Sequence, residues 1–375
     1  MKVNLRKWKF TFLALVLVGN SLLQTGCGFK DIDKRLFVLA IGVDQAEGKE
    51  NRYKVTLKLA LPSGSLKEAT ATMYTYVTKE STKLADAIRQ LKTYVDKEFD
   101  FGHLKTIVIG KALMNDDVSE ITDMFLRRRD FQRITWVAVG DPTAEKVLKT
   151  EPKSEMPASV SLFNLFAETG VESPYIVTTY LFELRRRMKE HGIDPVLPVI
   201  QVNKKSTSLI VNHLLILTGR REPLELNPRQ TKIYNMLRNN LNKMEIKVKK
   251  EDLEYIISID SLKSNYKIVT SNKSKPVVKM NVDLVGIIEE SDQYINGRKL
   301  DELGSFAGKE VENWVHDLFT TLQEKNTDPI GFGLRYKATR LHHKDLFSNW
   351  KQEIYPNLTL DVKVNVGIKS TGMIE

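Results

Sequence analysis

The sequence predicts an α+β protein of more than one domain, in which mixed or antiparallel β-sheets are flanked by helices. Segments whose hydrophobic residues recur every second position alternate with segments of helical period in both halves of the chain. The 375 residues also exceed the roughly 250 to 300 at which a single core stops growing. With 42% hydrophobic and 28% charged residues, the composition is that of an ordinary globular protein.

The amino-terminal segment has the three parts of a secretory signal. A basic stretch, MKVNLRKWK, precedes the apolar run FTFLALVLV at 10–18, and small and polar residues follow up to Gly26. This run is too short to cross a bilayer, because a stable span takes about 20 apolar residues. We therefore predict that residues 1–26 are a signal peptide that is cleaved.

Cys27 is the single cysteine of the chain, so an intramolecular disulfide is excluded. It ends LQTGC at 23–27, which resembles the lipobox of bacterial lipoproteins and departs from it at Gln24. Cleavage between Gly26 and Cys27 leaves Cys27 carrying an S-diacylglyceryl group, with or without a further N-acyl chain. Two acyl chains hold a protein at a membrane almost irreversibly. A buried free cysteine in a differently processed protein is the alternative.

Residues 27–203 are predicted to form an amino-terminal α+β domain. Three alternating segments at 35–44, 52–61 and 70–79 are typical of an antiparallel meander. The spacing of Leu84, Ile88, Leu91 and Val95 predicts a helix capped by Ser81. Further along, we predict a strand at 105–110, a helix at 116–128 and a strand at 134–140.

Prolines interrupt the sequence between 150 and 200, where two short helical stretches are predicted. The second has the periodic residues Val177, Leu181, Leu184 and Met188. Residues 150–203 are therefore interpreted as a connector or as a small separate domain.

Residues 204–375 are predicted to form a carboxy-terminal α+β domain. Its strands are expected at 208–219, 253–270, 276–288 and in the closing segment 357–370. Its helices are expected near 228–241 and at 301–325.

No pattern in the chain predicts catalysis, a cofactor or a metal. The histidines show no spacing that places two ligands on one face with a glutamate between them; they are His103, His191, His213, His316, His342 and His343. Phosphate-loop and serine-hydrolase motifs do not occur. The GFG at 331–333 is interpreted as a tight turn. We predict that the protein is not an enzyme.

Two basic clusters fall at predicted helix ends, where cations suit the negative end of the dipole. They comprise Arg127, Arg128, Arg129 and Arg133, and then Arg185, Arg186, Arg187 and Lys189. An exported chain is not expected to meet nucleic acid. Lipid headgroups, an acidic partner, or no partner beyond solvent are the interpretations left open.

Several motifs occur in a characteristic order after the lipobox. They are LAIGVD at 39–44, FGHLKTIVIG at 101–110, FLRRRDFQRITWVAVGDPTAEKVLKTEP at 125–152, DPIGFG at 328–333, Trp350, and VKVNVGIKSTG at 362–372. In this order they resemble the Ger(x)C family, the lipoprotein C subunits of nutrient germinant receptors in endospore-forming bacteria.

The resemblance implies a non-enzymatic receptor subunit with a multi-domain α+β fold. It places the chain on the outer face of the spore inner membrane, anchored to membrane lipid through Cys27, beside the A and B subunits. It places germinant recognition on the integral subunit, so this chain is not expected to bind a germinant directly. The family-motif positions Gly102, His103, Asp328, Pro329, Gly331 and Gly333 are expected to be structural.

Two other classes of function are weighed against this one. A solute-binding lipoprotein of a transporter would have repeated strand-helix units with parallel sheets and a ligand cleft between two halves. An anchored cell-wall enzyme would need a cluster of acids, a metal triad or a nucleophile with its base. The meander-like strands expected in both halves favour the receptor subunit.

Overall fold

A computed structural model describes most of the chain. The described residues are 5–22, 34–48, 50–61, 74–151, 166, 173–203, 208–218, 222–238, 241, 243–271, 274–340 and 349–372. They form two compact units, Met1–Arg35 and Leu36–Glu375.

The first unit contains helix α1, Leu5–Leu22, which includes the predicted apolar run. Trp8, Phe10 and Phe12 of this helix are exposed. Among the described residues, no helix is long and apolar enough to cross a membrane.

The second unit is built on two sheets. The larger one has nine strands within the described part of the chain: β1 Arg35–Gln45, β2 Tyr53–Ala60, β3 Tyr74–Ser81, β4 Glu98–Asp100, β5 Thr106–Gly110, β6 Trp136–Asp141, β7 Val196–Val202, β8 Leu209–Ile216 and β9 Leu224–Leu226. Their order is β3-β2-β1-β5-β6-β7-β8-β9, and β4 pairs with β1. Strands β1 to β3 form the predicted antiparallel meander.

The centre of this sheet is parallel, which the sequence did not predict. Strands β1, β5, β6 and β7 run side by side in one direction. Strand β7 lies within the stretch that was interpreted as a proline-interrupted connector. Proline has no N–H to donate to a neighbouring strand. Pro198 is tolerated because β7 pairs with β6 only from Val199 onward, opposite Val139, so no β6 carbonyl is left without a donor there.

Helices cover both faces of the larger sheet. Helices α2 (Leu84–Leu91) and α3 (Ser119–Arg127) pack on one face, α4 (Ala144–Lys149) packs on the other, and α5 (Leu181–Lys189) joins the first two. The strands alternate accordingly, since Ile107 and Ile109 of β5 point to the α2 face and Val108 points to α4.

The smaller sheet has the order β10-β11-β12-β13. Its strands are β10 Met244–Lys250, β11 Leu253–Ser271, β12 Ser274–Ser291 and β13 Thr359–Ile368, and its helices are α6 Pro228–Leu237, α7 Leu300–Glu324 and α8 Phe332–Ala338. Strand β13 runs parallel to β12, whereas the other pairs are antiparallel. The fold is thus the predicted α+β architecture with mixed sheets.

Two local predictions were wrong. Ser81 does not cap α2, because its hydroxyl donates to Asp86 at 2.7 Å and the N-cap position is Lys83. Helix α6 ends at Leu237 rather than near 241. The domain boundary at 203/204 stays a prediction; β8 and β9, which follow it, belong to the same sheet as β1 to β7.

Helix α7 approaches the edge strand β13 through two glycines. A Cβ added to Gly304 would lie 2.3 Å from the Val366 carbonyl oxygen, and one added to Gly308 would lie 2.6 Å from that of Val364. The backbone N–H of Val364 donates to the Glu312 side chain of the same helix at 2.9 Å. The helix thereby covers backbone groups that an open sheet edge would expose.

We expect Gly304→Ala to destabilise the protein by up to about 2 kcal/mol. The added methyl group overpacks the contact, which typically costs about 1 to 3 kcal/mol, and the gain in helix propensity of roughly 1 kcal/mol offsets part of it. Urea unfolding measures the change. Gly297→Ala is the matched control, because nothing lies within 4 Å of its added Cβ; equal stability of the two variants would contradict the close approach.

Candidate functional site

The DPIGFG motif forms a turn around a fully buried carboxylate. Asp328 is 0% exposed, and its carboxylate accepts hydrogen bonds from the backbone N–H groups of Gly331 at 2.8 Å, Phe332 at 3.0 Å and Gly333 at 2.7 Å. Gly331 has φ +88°, a left-handed conformation that glycine adopts without a steric penalty. The motif therefore encloses its own anion and begins helix α8.

The turn is held by residues that come more than a hundred positions earlier. The backbone N–H of Asp194 donates to the Asp328 carbonyl at 2.9 Å, and that of Leu334 donates to the Gly192 carbonyl at 2.8 Å. The buried Arg187 guanidinium donates to the Pro329 carbonyl at 3.2 Å. The segment between α5 and β7 is thus joined to the turn by main-chain and side-chain bonds.

An ion pair closes the outside of this cluster. The Lys351 ammonium lies 2.7 Å from both carboxylate oxygens of Asp194, and the Asp328 N–H also donates to Asp194. The Arg238 guanidinium donates to the Ile330 carbonyl at 3.0 Å. The cations are therefore directed at Asp194 and at carbonyl groups, and the Asp328 carboxylate is held by neutral N–H donors.

Aromatic rings exclude water from the turn. Trp350 is 2% exposed, and it would lie 2.5 Å from a Cβ at Gly333. The Tyr355 hydroxyl donates to the Thr327 carbonyl. The rings of Phe332 and Tyr266 meet edge to face with centroids 5.1 Å apart. Trp350 lies in a short π-helical turn, Trp350–Ile354.

Burial dominates the electrostatics of Asp328. It raises the pKa of this carboxyl from the usual 3.8 to about 6, although the three N–H donors act in the opposite direction. The neighbouring Asp194 carboxylate raises the pKa further. The ionised form of Asp328 is accordingly costly near neutral pH.

A second buried carboxylate was missed by sequence reasoning. Asp44, the last residue of the LAIGVD motif, is 5% exposed and accepts from the N–H groups of Ala144 at 2.7 Å and Glu145 at 2.8 Å, at the start of α4. A Cβ at Gly110 would lie 2.1 Å from its Oδ1. Burial raises the pKa of the Asp44 carboxyl, and the N–H donors partly oppose this. An aspartate at the end of a buried strand was the available signal.

Gly102 and His103 lie in a different place, in the turn before β5. The Gly102 N–H donates to Asp100 at 2.8 Å, and its carbonyl accepts from the Gln132 side chain at 2.7 Å. The exposed His103 ring meets Phe37 edge to face, with centroids 4.6 Å apart. The six motif positions thus form two separate sites, and their structural role stays a prediction.

Gly26 and Cys27 lie outside the described residues, as do His342 and His343. Among the residues that the structure describes, no three His, Cys, Asp or Glu side chains are grouped so as to hold a metal ion. The two basic clusters come together at Asp123, which lies 2.7 Å from Arg185 and 3.8 Å from Arg127.

Comparison with known families gives two matches that together cover most of the chain. Residues 28–202 match the family described as "Spore germination protein N-terminal domain". Residues 224–372 match the family described as "Spore germination B3/ GerAC like, C-terminal".

Individual proteins and a solved structure are also similar. "Spore germination protein KC" of Bacillus subtilis (strain 168) is 20% identical over 396 residues, 96% of each chain. "Spore germination protein GerQC" of Bacillus cereus is 23% identical over 282 residues, 74% of this chain and 77% of that protein. The crystal structure of the GerBC protein superposes with a TM-score of 0.59 at 18% identity, covering 88% of this chain and 98% of that one. The last match shows a shared fold.

We expect Gly333→Val to lower the yield of folded protein sharply. Its Cβ would lie 2.5 Å from the Trp350 indole nitrogen and 2.7 Å from the Gly192 Cα, so the turn cannot close without displacing backbone. Gly331→Val should also destabilise, because valine disfavours the left-handed conformation. Gly367→Ala is the control, since no atom lies closer than 3.9 Å to its added Cβ. Thermal unfolding that leaves the Gly333 variant unchanged, with only signalling lost, would assign these residues to a functional surface.

The titration of Asp328 should be visible in the free energy of unfolding. Its pKa of about 6 in the folded chain exceeds the usual 3.8, so the folded state binds the proton more tightly. The Asp328 contribution to stability is therefore present below pH 3.8 and is lost as the pH rises through 6, a change of about 3 kcal/mol. Urea unfolding of wild type and Asp328→Asn between pH 4 and 7 measures the difference. Parallel pH profiles, such as the exposed Asp361→Asn control should give, would contradict it.

Proposed function

Because the chain belongs to the GerAC-like family of spore germination proteins, we propose that it is the lipid-anchored C subunit of a nutrient germinant receptor. The observation that carries this proposal is the pair of family matches, which follow each other in order from residue 28 to residue 372. The first match begins at residue 28, directly after Cys27, and Cys27 would be the first residue of the mature chain.

The proposed anchor is Cys27. It follows a basic and apolar leader and ends the lipobox-like LQTGC, and no other thiol competes for acylation. Cleavage between Gly26 and Cys27 would free the anchored chain. The acyl chains would then hold the protein on the outer face of the spore inner membrane.

The proposed partners are the A and B subunits of the same receptor. The names of the relatives assign those proteins to spore germination. The family consists of germinant-receptor subunits and is not a known enzyme family. We accordingly assign this chain to assembly or signalling of the complex, and we assign germinant binding to the integral subunit.

Loss of this chain should abolish the response to one set of nutrients. A spore strain lacking the gene is compared with strains restored by wild type or by Cys27→Ala, and germination is followed by the fall in optical density. Wild type should restore the response. Cys27→Ala should accumulate as full-length, unlipidated precursor and restore it poorly, because the high local concentration at the membrane is lost.

Germination by triggers unrelated to nutrients is the control and should persist in every strain. Unchanged nutrient responses in the deletion strain would overturn the receptor assignment. Normal maturation with lipid incorporation in the Cys27→Ala strain would overturn the anchor alone. Calorimetry adds a further check, because saturable micromolar binding of an amino acid or sugar to this chain would favour a solute-binding lipoprotein.

A further inference from the structure

One edge of the larger sheet gathers several exposed apolar and cationic side chains. The parallel strands β1, β5 and β6 all begin at this edge, which we call the amino edge. Strand β2 ends there, because Leu59 pairs with Val38 near the start of β1. Helix α5 also begins there, since the Leu181 N–H donates to the Thr135 carbonyl at 2.9 Å.

Three large hydrophobic side chains are exposed along the amino edge. Leu61 is 41% exposed just after β2, Ile134 is 64% exposed just before β6, and Phe182 is 45% exposed in the first turn of α5. Ile134 and Phe182 are neighbours, because the Phe182 N–H donates to the Arg133 carbonyl at 3.1 Å. Leu61 directly follows β2, which lies three strand spacings or about 14 Å from β6.

Exposed arginines flank these hydrophobic residues. They are Arg127, Arg129, Arg133 and Arg186, and together with Leu61, Ile134 and Phe182 they form what we call the amino-edge patch. Arg129 and Arg133 have no ion pair within the described part of the chain. Two nearby carboxylates are already engaged, since Asp123 contacts Arg185 and Asp130 contacts Arg128. The patch therefore has an excess of positive charge.

The chain enters the second unit at the same edge. Leu36, the first residue of that unit, lies in β1, nine positions after Cys27. Nine residues span at most about 32 Å even when fully extended. An anchor on Cys27 would thus keep the amino edge within reach of the bilayer surface.

We propose that the amino-edge patch binds the anionic phospholipid surface of the membrane, with Ile134 and Phe182 entering the headgroup region. Apolar side chains flanked by cations are the pattern of interfacial membrane contact. Arginines near an anionic surface strengthen binding to it, and a few of them are enough once the anchor supplies a high local concentration. A stable protein interface needs about 20 to 30 residues on each side, far more than this patch exposes.

This inference rests on the proposed lipid anchor, and its test separates the two. The lipidated mature chain, which begins at Cys27, is reconstituted in vesicles, with Ile134→Cys or Phe182→Cys carrying an environment-sensitive fluorophore. Cys27 is the single native cysteine, so an acylated chain is labelled only at the introduced position. Mass spectrometry of the labelled peptides checks this, because fluorophore on Cys27 would show that the anchor proposal has failed.

Quenching by spin-labelled lipids is then compared between vesicles with and without 30% phosphatidylglycerol. We expect at least twofold stronger quenching at 134 and 182 than at the control Tyr294→Cys, whose native side chain is 84% exposed in the other half of the unit. The excess should need the anionic lipid. It should fall at least twofold in Arg129→Gln/Arg133→Gln and in 0.5 M salt, which screens the charges.

Equal quenching at 134, 182 and 294 in an anchored chain would overturn the patch and leave the anchor intact. Equal quenching with and without anionic lipid would overturn the electrostatic part. If positions 134 and 182 are shielded from solvent only after the A and B subunits are added, the membrane assignment is overturned. The patch is then a protein interface.

Discussion

The Asp328 carboxylate is the constraint around which much of the second unit is arranged. A carboxylate that is 0% exposed can remain ionised only if donors are fixed against it, and here three backbone N–H groups of the same turn supply them. This arrangement requires a left-handed backbone at Gly331 and the absence of a side chain at Gly333. It also leaves the carbonyl groups of the turn facing outward. Those carbonyls then accept from Arg187, Arg238 and the Asp194 N–H, which join the turn to residues far earlier in the chain.

A buried aspartate that accepts hydrogen bonds from N–H groups at the start of a helix occurs twice. Asp44 accepts the first N–H groups of α4, as Asp328 accepts those at the start of α8, and anions are favoured at such positions by the helix dipole. In both places a glycine leaves room for a close contact. Gly110 allows the Asp44 carboxylate to approach the backbone, and Gly333 allows the Trp350 ring to do so. Each aspartate and at least one of the residues packed around it belong to different sequence motifs. The motifs of this family therefore mark parts of two buried clusters.

Two of the hydrophobic cores of the second unit share strand β8. Strand β8 directs Leu214 and Ile216 into the core around α6 and α7, and Leu215 into the core around α2, α3 and α5. Close-packed interiors transmit strain, so a change of packing on one side of β8 is felt on the other.

Local periodicity and short ordered motifs were enough to predict the fold class, the family, the meander of β1 to β3 and the long helix α7, whereas the turn predicted at 331–333 is the start of helix α8. Only the tertiary structure revealed that β7 joins the parallel centre, since its prolines resemble a linker until β6 and β8 supply the pairing. It also revealed Asp44 and the glycines Gly304 and Gly308, whose requirement arises from atoms distant in sequence. The basic clusters were visible as residues, but the approach of Phe182 to Ile134 depends on the direction in which parallel strands begin, which no local pattern encodes.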